Sequence, residues 1–293
     1  MKDYAVFVDS SADMDILYLE KNDIQIVPMC YTLGDKNYEY CKMETEEKLK
    51  RFYDAQRKGE FSQTSQVTPQ QYINAFSPVM ERGLDILYLS LSGGLTNSRD
   101  SIHLAEMELT DRYPDIRIVP IDSLSATGGT GLLAELAVYN RKAGMSLQEN
   151  ADMLEKKKHQ ICHLFLVEDL LYLKRGGRVS AASAIVGTAL GVKPILVIDE
   201  NGALRVVSKQ RGKKHAVADL LDRYQRSRNA EDHRISIVHA DASDLASELV
   251  EKAGRIDPEA NITSGFLNPI IGAHTGPGMA AIIYFGDRTE TAL

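Results

Sequence analysis

The sequence contains little cysteine, no long apolar run and no excess of positive charge. Its three cysteines, Cys30, Cys41 and Cys162, are too few and too scattered for a disulfide framework or for a structural zinc site with paired spacing. No segment reaches the ~18 apolar residues that a membrane span needs, and the N-terminal segment lacks the features of a signal peptide. The formal net charge of −7 argues against a nucleic-acid-binding protein, which needs a concentrated Lys and Arg surface. We therefore expect a soluble cytoplasmic protein that binds no nucleic acid.

A strand, a polar loop and a helix recur along the first half of the chain. Apolar runs at 4–8 and 86–91 each lead into a loop rich in small polar residues, and a third strand ends at Asp122-Ser123. The second and third loops are followed by helical patterns. This repetition predicts a parallel α/β sheet, in which ligands gather at the carboxyl ends of the strands.

At 293 residues the chain exceeds the usual size of a single core, so we expect two domains. A hairpin is predicted at 31–40, and a helix that begins after Ser146 is followed by a change of pattern. We predict a strand at 162–167, a largely helical segment at 170–191 and two strands joined by an Asn-Gly turn at 192–212. The predicted domains are a parallel-sheet α/β domain at 1–158 and a smaller α+β domain at 159–293.

Three loops at predicted strand ends carry small hydroxyl or glycine residues. These loops are Thr64-Ser65-Gln66, Ser92-Gly93-Gly94 with Thr96-Asn97, and Asp122-Ser123. Any one of them alone is explained by capping a helix or closing a turn. Together they indicate a receptor for an anionic group, because backbone N–H groups beside hydroxyls bind carboxylate or phosphate.

The segment "LKRGGRVS" places Lys174, Arg175 and Arg178 around two glycines. One interpretation is a solvated helix end with a glycine break. The other is an exposed cationic patch that binds a negatively charged partner or phosphate. Its spacing matches neither a dinucleotide fingerprint nor a Walker A loop.

A histidine lies on the turn "GAHTGPG", at residues 272–278, between two apolar runs. His274 either donates to a carbonyl in its own turn or contacts a bound group that the neighbouring glycines allow to approach closely. The remaining histidines that we considered lie on predicted helices or strands without a matching partner, and we expect them to be structural. They are His103, His163, His215, His233 and His239.

Several motifs in order resemble the DegV family, the fatty-acid-binding proteins that serve bacterial fatty acid kinase. They are "VFVDSSADM", "TSQVTP", "LSGGLTNS", "IDSLSATGGTGLL", "LKRGGRVSAASAIVGTALGVKPIL", "GALRVVSKQRGKKHAV" and "GAHTGPG". The resemblance spans nearly the whole chain. It implies a fold of two α/β domains with a ligand tunnel between or beside them, in which one long-chain fatty acid is buried and its carboxylate lies near the domain interface.

The resemblance also implies a set of ligand-binding residues at the carboxylate. They are Thr64, Ser65, Ser92, Gly93, Gly94, Asn97 and His274. The family often has Ser-Ser-Gly-Leu-Ser-Gly-Thr where this chain has Ser92-Gly93-Gly94-Leu95-Thr96-Asn97-Ser98. With one hydroxyl missing there, the backbone N–H of Gly93 or Gly94 is expected to bind the carboxylate.

By this resemblance we expect a carrier without a cofactor that presents its fatty acid to the catalytic subunit of a separate fatty acid kinase. Lys174, Arg175 and Arg178 are the expected partner-binding residues, and transient contact with a membrane is compatible with such a role. The alternative is a serine-dependent acyl hydrolase or acyltransferase with Ser92 as nucleophile and His274 as base. Against that alternative, no Gly-x-Ser-x-Gly elbow surrounds Ser92. A regulatory DNA-binding protein is disfavoured by the negative charge.

Overall fold

A computed structural model describes residues 3–41, 44–180 and 191–293, whose strands form three sheets flanked by helices. The strands are β1 Tyr4–Asp9, β2 Ile24–Val27, β3 Met29–Leu33, β4 Lys36–Tyr40, β5 Ser62–Ser65, β6 Asp85–Ser90, β7 Ile118–Asp122, β8 Ile161–Leu166, β9 Val192–Ile198, β10 Leu204–Arg211, β11 Arg234–His239, β12 Asn261–Phe266 and β13 Ala280–Phe285. The helices of these residues are α1 Ile16–Lys21, α2 Glu46–Arg57, α3 Pro69–Met80, α4 Ser98–Arg112, α5 Gly128–Lys142, α6 Leu147–Lys157, α7 Leu171–Arg175, α8 Lys213–Ser227, α9 Ser243–Ile256, α10 Pro269–Thr275 and α11 Arg288–Thr291. None of them is long and apolar enough to cross a membrane.

The first sheet has the order β2-β1-β6-β7, and each neighbouring pair is parallel. All six residues of β1 are buried, as expected for a parallel strand covered on both faces. Helices α4 and α5 follow β6 and β7, which confirms the predicted strand, loop and helix repeat. Asp9, Ser90 and Asp122 end the three strands at one edge of the sheet.

The second sheet is a small antiparallel unit with the order β4-β3-β5. The predicted hairpin is confirmed, and its turn includes Gly34, whose φ of 56° suits glycine. Strand β5 pairs with the other side of β3, so that Thr64 lies opposite Tyr31. This pairing places the "TSQ" loop beside the carboxyl edge of the parallel sheet.

The third sheet is formed by the chain after residue 160 and has the order β10-β9-β8-β13-β11-β12. Its pairs are antiparallel except for β11 with β12. The two predicted strands around an Asn-Gly turn are β9 and β10, and the predicted helix cap at Ser146 forms a capping box with Glu149. Of the predicted helical segment at 170–191, α7 lies within the described residues, whereas 181–190 lie outside them.

The described residues pack into two apolar clusters. The larger one joins Val8 and Leu89 of the parallel sheet to Phe165 and Ile283 of the six-stranded sheet. The smaller one lies on the opposite face of the six-stranded sheet, under α8 and α9. The first two sheets contain only strands that precede residue 158 in the chain, and the third contains only strands that follow it. Because the larger cluster crosses that residue, the domain boundary stays a prediction.

Candidate ligand-binding site

A cavity of about 250 Å³ lies where the three sheets meet. Its wall is formed by the end of β5, the loops after β6 and β7, the inner face of the six-stranded sheet and helix α10. More than half of its described lining residues are apolar. The polar ones are Thr64, Ser65, Gln66, Thr96, Asn97, Thr127, His163, Arg178, His274 and Thr275. Arg178 is the one charged side chain among the described residues of the wall.

Thr64 and His274, which the resemblance implies as ligand-binding residues, form a polar pair in the cavity wall. Strand β5 and helix α10 bring Thr64 Oγ1 to 2.7 Å from Nε2 of His274. Asn268 caps the start of α10 by accepting a hydrogen bond from the N–H of Ile271, and Tyr53 donates to the carbonyl of Leu267 just before the helix. The histidine is therefore held by a short helix that is fixed at its start.

The tautomer of His274 follows from the contacts of its two ring nitrogens. Within the described part of the chain Nδ1 is buried without a hydrogen-bond partner, and it faces the backbone of Gly176. A proton on Nδ1 would be an unsatisfied donor there, so we assign the proton to Nε2, which donates to Thr64 Oγ1. The hydroxyl hydrogen of Thr64 is then free to point to another acceptor.

His274 is neutral at physiological pH. Burial, together with the positive charge of Arg178, lowers its pKa to about 4. A neutral imidazole does not repel the neighbouring guanidinium of Arg178. It therefore serves as a hydrogen-bond donor and not as a second positive charge.

Arg178 lies in the cavity wall and not on the exposed patch that we predicted for it. Its guanidinium is half-buried and donates to the carbonyl of Leu95 from Nε at 3.1 Å and from Nη2 at 3.0 Å. Its Nη1 donates to the carbonyl of Gly176. The turn formed by Gly176 and Gly177, whose φ is 72°, directs the chain back so that the side chain reaches the loop after β6.

Lys174 and Arg175 are exposed, as the sequence predicted. The Arg175 guanidinium lies over the ring of Tyr172 at 4.5 Å and that of Phe61 at 5.8 Å. Both cations therefore lie on the surface beside the segment that carries Arg178. Their binding to a partner stays a prediction.

The loop Ser92-Gly93-Gly94 is not among the described residues of the cavity wall, and its predicted place at the carboxylate stays a prediction. Ser92 Oγ donates to the carbonyl of Gly202 at 2.7 Å and accepts from the N–H of Gly94 at 3.1 Å. The N–H of Gly93 donates to the carboxylate of Asp122 at 3.1 Å. A Cβ at Gly94 would lie 2.5 Å from the Gly202 carbonyl oxygen. The small residues of this loop are thus explained by close packing on the β9–β10 turn, and both predicted N–H donors are occupied.

The same contacts disfavour the alternative of a serine hydrolase. The Ser92 hydroxyl donates to Gly202, whereas His274 pairs with Thr64. A catalytic serine must instead donate to its histidine base. Ser92 and His274 therefore do not form a nucleophile and base pair.

Ser65 and Asn97 lie in the wall, as expected for ligand-binding residues, although their roles stay predictions. Asn97 is the N-cap residue of α4 and makes no side-chain cap hydrogen bond. Its amide is therefore not committed to the helix that follows.

Sequence reasoning missed the place of His163, which we expected to be structural. This residue is 2% exposed, lies on β8 and forms part of the cavity wall. Its Nε2 lies 3.1 Å from the carbonyl oxygen of Ala126. Burial, with the charge of Arg288, lowers its pKa to about 3. The signal available in the sequence was an isolated histidine inside an apolar strand, but periodicity alone does not show which strand face borders a cavity.

A family model described as "Uncharacterised protein, DegV family" matches residues 3–287. A DegV domain-containing protein of Clostridium perfringens is 33% identical over 291 residues, which cover 99% of this chain and 100% of the relative. Another from Lactococcus lactis is 32% identical and covers 98% of this chain and 99% of the relative.

Solved structures of similar sequence share the fold. A DegV lipid-binding protein from Thermotoga maritima has a TM-score of 0.82 at 27% identity and covers 98% of this chain and 100% of that chain. A fatty-acid-binding DegV family protein from Thermus thermophilus has a TM-score of 0.86 at 25% identity, with coverage of 97% and 99%. DegV from Bacillus subtilis, a fatty-acid-binding protein, has a TM-score of 0.84 at 26% identity, with coverage of 98% and 100%. The resemblance and the mixed α/β fold are confirmed, and the chain belongs to the DegV family.

Proposed function

We propose that the protein binds a long-chain fatty acid, with the carboxylate at Arg178, Thr64 and His274 and the acyl chain along the apolar wall. The observation that carries this proposal is the composition of the cavity, which combines one cation and other polar side chains with apolar residues that make up more than half of the lining. An anion joined to an apolar chain is the complement of such a site. The fatty-acid-binding and lipid-binding proteins of similar structure support the proposal.

The polar groups suit a carboxylate because they supply donors and one positive charge. His274 Nε2–H donates to Thr64 Oγ1, so the Thr64 hydroxyl is free to donate its own hydrogen to a carboxylate oxygen. The guanidinium of Arg178 supplies the charge, and burial strengthens its attraction to an anion. Since the start of α4 follows Asn97 in the wall, its positive end lies on the same side as these groups.

Affinity in this site comes mainly from the acyl chain. At about 0.8 kcal/mol per methylene, ~14 buried methylenes contribute roughly 11 kcal/mol before the costs of association. A charge-assisted hydrogen bond contributes about 1.5–3 kcal/mol. The apolar wall therefore holds the ligand, and the polar groups orient it.

The test removes the Thr64 hydroxyl while keeping the shape of the side chain. Thr64→Val should weaken binding of a fluorescent fatty acid by roughly tenfold or more, because one hydrogen bond to a charged group is lost. Thr263→Val is the matched control, since Thr263 is an exposed strand residue outside the cavity wall. Mass spectrometry of the purified protein under non-denaturing conditions then identifies any lipid that copurifies. Unchanged affinity in Thr64→Val would remove Thr64 from the head-group site.

We further propose that the protein is a carrier and not an enzyme. In the cytoplasm it would present the carboxylate of its bound fatty acid to a separate fatty acid kinase. The exposed cations Lys174 and Arg175 support this proposal, since they end α7 shortly before Arg178. On a chain of net charge −7, a local basic surface attracts an acidic partner or a phosphate. It is also compatible with transient contact with an anionic membrane.

The kinase proposal is tested by changing these surface cations alone. The double variant Lys174→Ala/Arg175→Ala should bind fatty acid as the unchanged protein does but slow formation of acyl phosphate by an added kinase. With the unchanged protein, the rate of acyl-phosphate formation should fall as the salt concentration rises, because exposed charges are screened over ~10 Å at 0.1 M ionic strength. The control is Lys213→Ala/Lys214→Ala, which removes two exposed cations at the start of α8. If both double variants support the same transfer rate, the surface near α7 is not the kinase contact.

A further inference from the structure

The carboxylate of Asp13 joins two parts of the cavity wall without being one of the described residues of that wall. Asp13 lies in the loop between β1 and α1. Its Oδ2 accepts a hydrogen bond from Thr127 Oγ1 at 2.5 Å, and its Oδ1 accepts one from the N–H of Asn268 at 3.0 Å. Thr127 borders the cavity, and Asn268 caps α10, the helix that carries His274. One side chain therefore holds both the start of α5 and the start of α10.

Thr127 has a backbone conformation that needs such support. Its φ is 50°, a value that branched side chains rarely adopt, and strained residues of this kind persist where neighbouring contacts hold them. Thr127 is the N-cap residue of α5 but makes no side-chain cap hydrogen bond, and its hydroxyl donates to Asp13 instead. Helix α5 begins so close to the six-stranded sheet that a Cβ at Gly129 would overlap the ring of His163. Movement at Thr127 would therefore change the shape of the cavity wall.

The two hydrogen bonds depend on the charge of the Asp13 carboxyl group. When it is ionised, both oxygens accept, and charge-assisted bonds of this kind are roughly twice as strong as neutral ones. When it is protonated, one oxygen still accepts from the N–H of Asn268, but the other carries a hydrogen that faces Thr127 Oγ1. Both bonds are then neutral. Protonation therefore loosens the hold of Asp13 on Thr127 and on α10.

The surroundings of Asp13 place this protonation near neutral pH. Burial raises the pKa of Asp13 to about 7, and no cation pairs with it in the part of the chain that the structure describes. The titratable groups that face it are Asp9 of β1, Tyr40 of β4, Tyr53 of α2, and the group Asp15, Tyr18 and Glu135, which border a second cavity together with Asp13. Burial raises the pKa of each of these tyrosines, so they stay neutral, and the others are carboxyl groups.

The histidines of the described wall do not titrate in the same range. The pKa of His163 is lowered to about 3 and that of His274 to about 4, so both stay neutral between pH 6 and pH 8. The carboxylate of a fatty acid is ionised throughout this range, since ordinary carboxyl groups have a pKa of about 4. A change in binding that depends on Asp13 is therefore not masked by these groups.

We propose that Asp13 is a positioning residue for the ligand, whose ionised carboxylate holds Thr127 and α10 in the arrangement that binds the fatty acid and whose protonation weakens that binding. The inference rests on the proposed function, because it concerns the same cavity. Asp13 acts through Thr127 and α10 and needs no contact with the ligand. The protein thus retains its fatty acid above neutral pH and releases it more readily as the pH falls.

The experiment compares the unchanged protein with Asp13→Asn in the binding of a fluorescent fatty acid at pH 8 and pH 6. The amide of the variant accepts from Asn268 and donates to Thr127, so it imitates the protonated acid, and asparagine tolerates the φ of 49° at this position. At pH 8 the variant should bind roughly tenfold more weakly than the unchanged protein. The loss of affinity from pH 8 to pH 6 should be roughly fivefold larger for the unchanged protein than for the variant. This comparison removes any effect of pH on the ligand itself.

Asp287→Asn is the matched control. Asp287 Oδ1 accepts from the N–H and from the hydroxyl of Thr289, so it also holds one backbone and one side-chain donor, but it lies outside the described cavity wall. This variant should keep the affinity and the pH response of the unchanged protein.

The ¹³Cγ resonance of Asp13 provides a second readout, which needs no variant and which a merely structural role would not move. If protonation weakens binding, then binding disfavours protonation by the same factor. The midpoint of the Asp13 titration should therefore lie about one pH unit lower in protein loaded with octadecanoic acid than in protein without lipid.

Two results would overturn the proposal. One is an equal Asp13 midpoint in the loaded and the lipid-free protein, and the other is an Asp13→Asn variant with the affinity and the pH response of the unchanged protein. In either case fatty-acid binding stands and this inference alone fails. If the unchanged protein binds no fatty acid at either pH, the proposed function fails and this inference with it.

Discussion

Replacing Arg178 with glutamine tests the role of the positive charge in the proposed head-group site. The guanidinium carries five N–H groups. Nε and Nη2 each donate once to the carbonyl of Leu95, and Nη1 donates once to the carbonyl of Gly176. One N–H on Nη1 and one on Nη2 are therefore left, and in the proposed site these two groups would donate to the carboxylate. Arg178→Gln removes these groups and the charge and leaves a shorter, neutral amide.

The magnitude follows from the bonds that are lost. A charge-assisted hydrogen bond contributes about 1.5–3 kcal/mol, and two such bonds that act as a unit do not add fully. We therefore expect Arg178→Gln to weaken fatty-acid binding by about 3 kcal/mol, which is more than a hundredfold in the dissociation constant. Arg175→Gln is the matched control, since Arg175 is exposed three residues earlier. It should bind as the unchanged protein does.

The assay compares a fatty acid with its methyl ester, both measured by displacement of a fluorescent fatty acid. The ester keeps the acyl chain but has no charge to pair with the guanidinium. The unchanged protein should prefer the acid strongly, and Arg178→Gln should lose most of that preference. If the variant weakens acid and ester equally, Arg178 supports the fold of the cavity and does not bind the carboxylate, and the proposed head-group site is wrong.

Two further predictions concern stability. Burial lowers the pKa of His163 to about 3 and that of His274 to about 4, so between these values and the ordinary 6.5 only the unfolded chain takes up the two protons. The free energy of unfolding should therefore be unaffected by them above pH 6.5 and fall by about 1.4 kcal/mol per histidine for each unit of pH below it. Urea unfolding at pH 7 and pH 5 measures this slope, and an unaltered slope in His163→Phe would contradict the assignment for His163. Gly94→Ala should lower the free energy of unfolding by about 1–3 kcal/mol, because its Cβ would lie 2.5 Å from the Gly202 carbonyl oxygen. In the control Gly254→Ala, the new Cβ meets only Ile262 Cδ1 at 3.9 Å, so no loss is expected, and an equal loss in both variants would refute the close-packing argument for Gly94.

Periodicity and turn residues in the sequence were enough to predict the parallel sheet, the hairpin and the β9–β10 pair. Continuous apolar runs such as "YAVFV" are typical of strands buried on both faces, and Gly34 and Gly202 occur in turns where φ is positive. These signals are local, because they depend on residues within a few positions of one another. That Thr64 and His274 belong to one site was expected from the resemblance and not from such signals, since 210 positions separate the two residues.

The tertiary structure alone decided which polar groups border the cavity. Hydroxyls and glycines at strand ends look the same in the sequence, yet Thr64 borders the cavity while Ser92 and Gly94 pack against Gly202. Arg178 and Arg175 belong to one short motif, but the turn at Gly176 sends one inward and leaves the other exposed. The physical reason is that burial and hydrogen-bond partners depend on contacts between distant segments, which no local pattern of residues encodes.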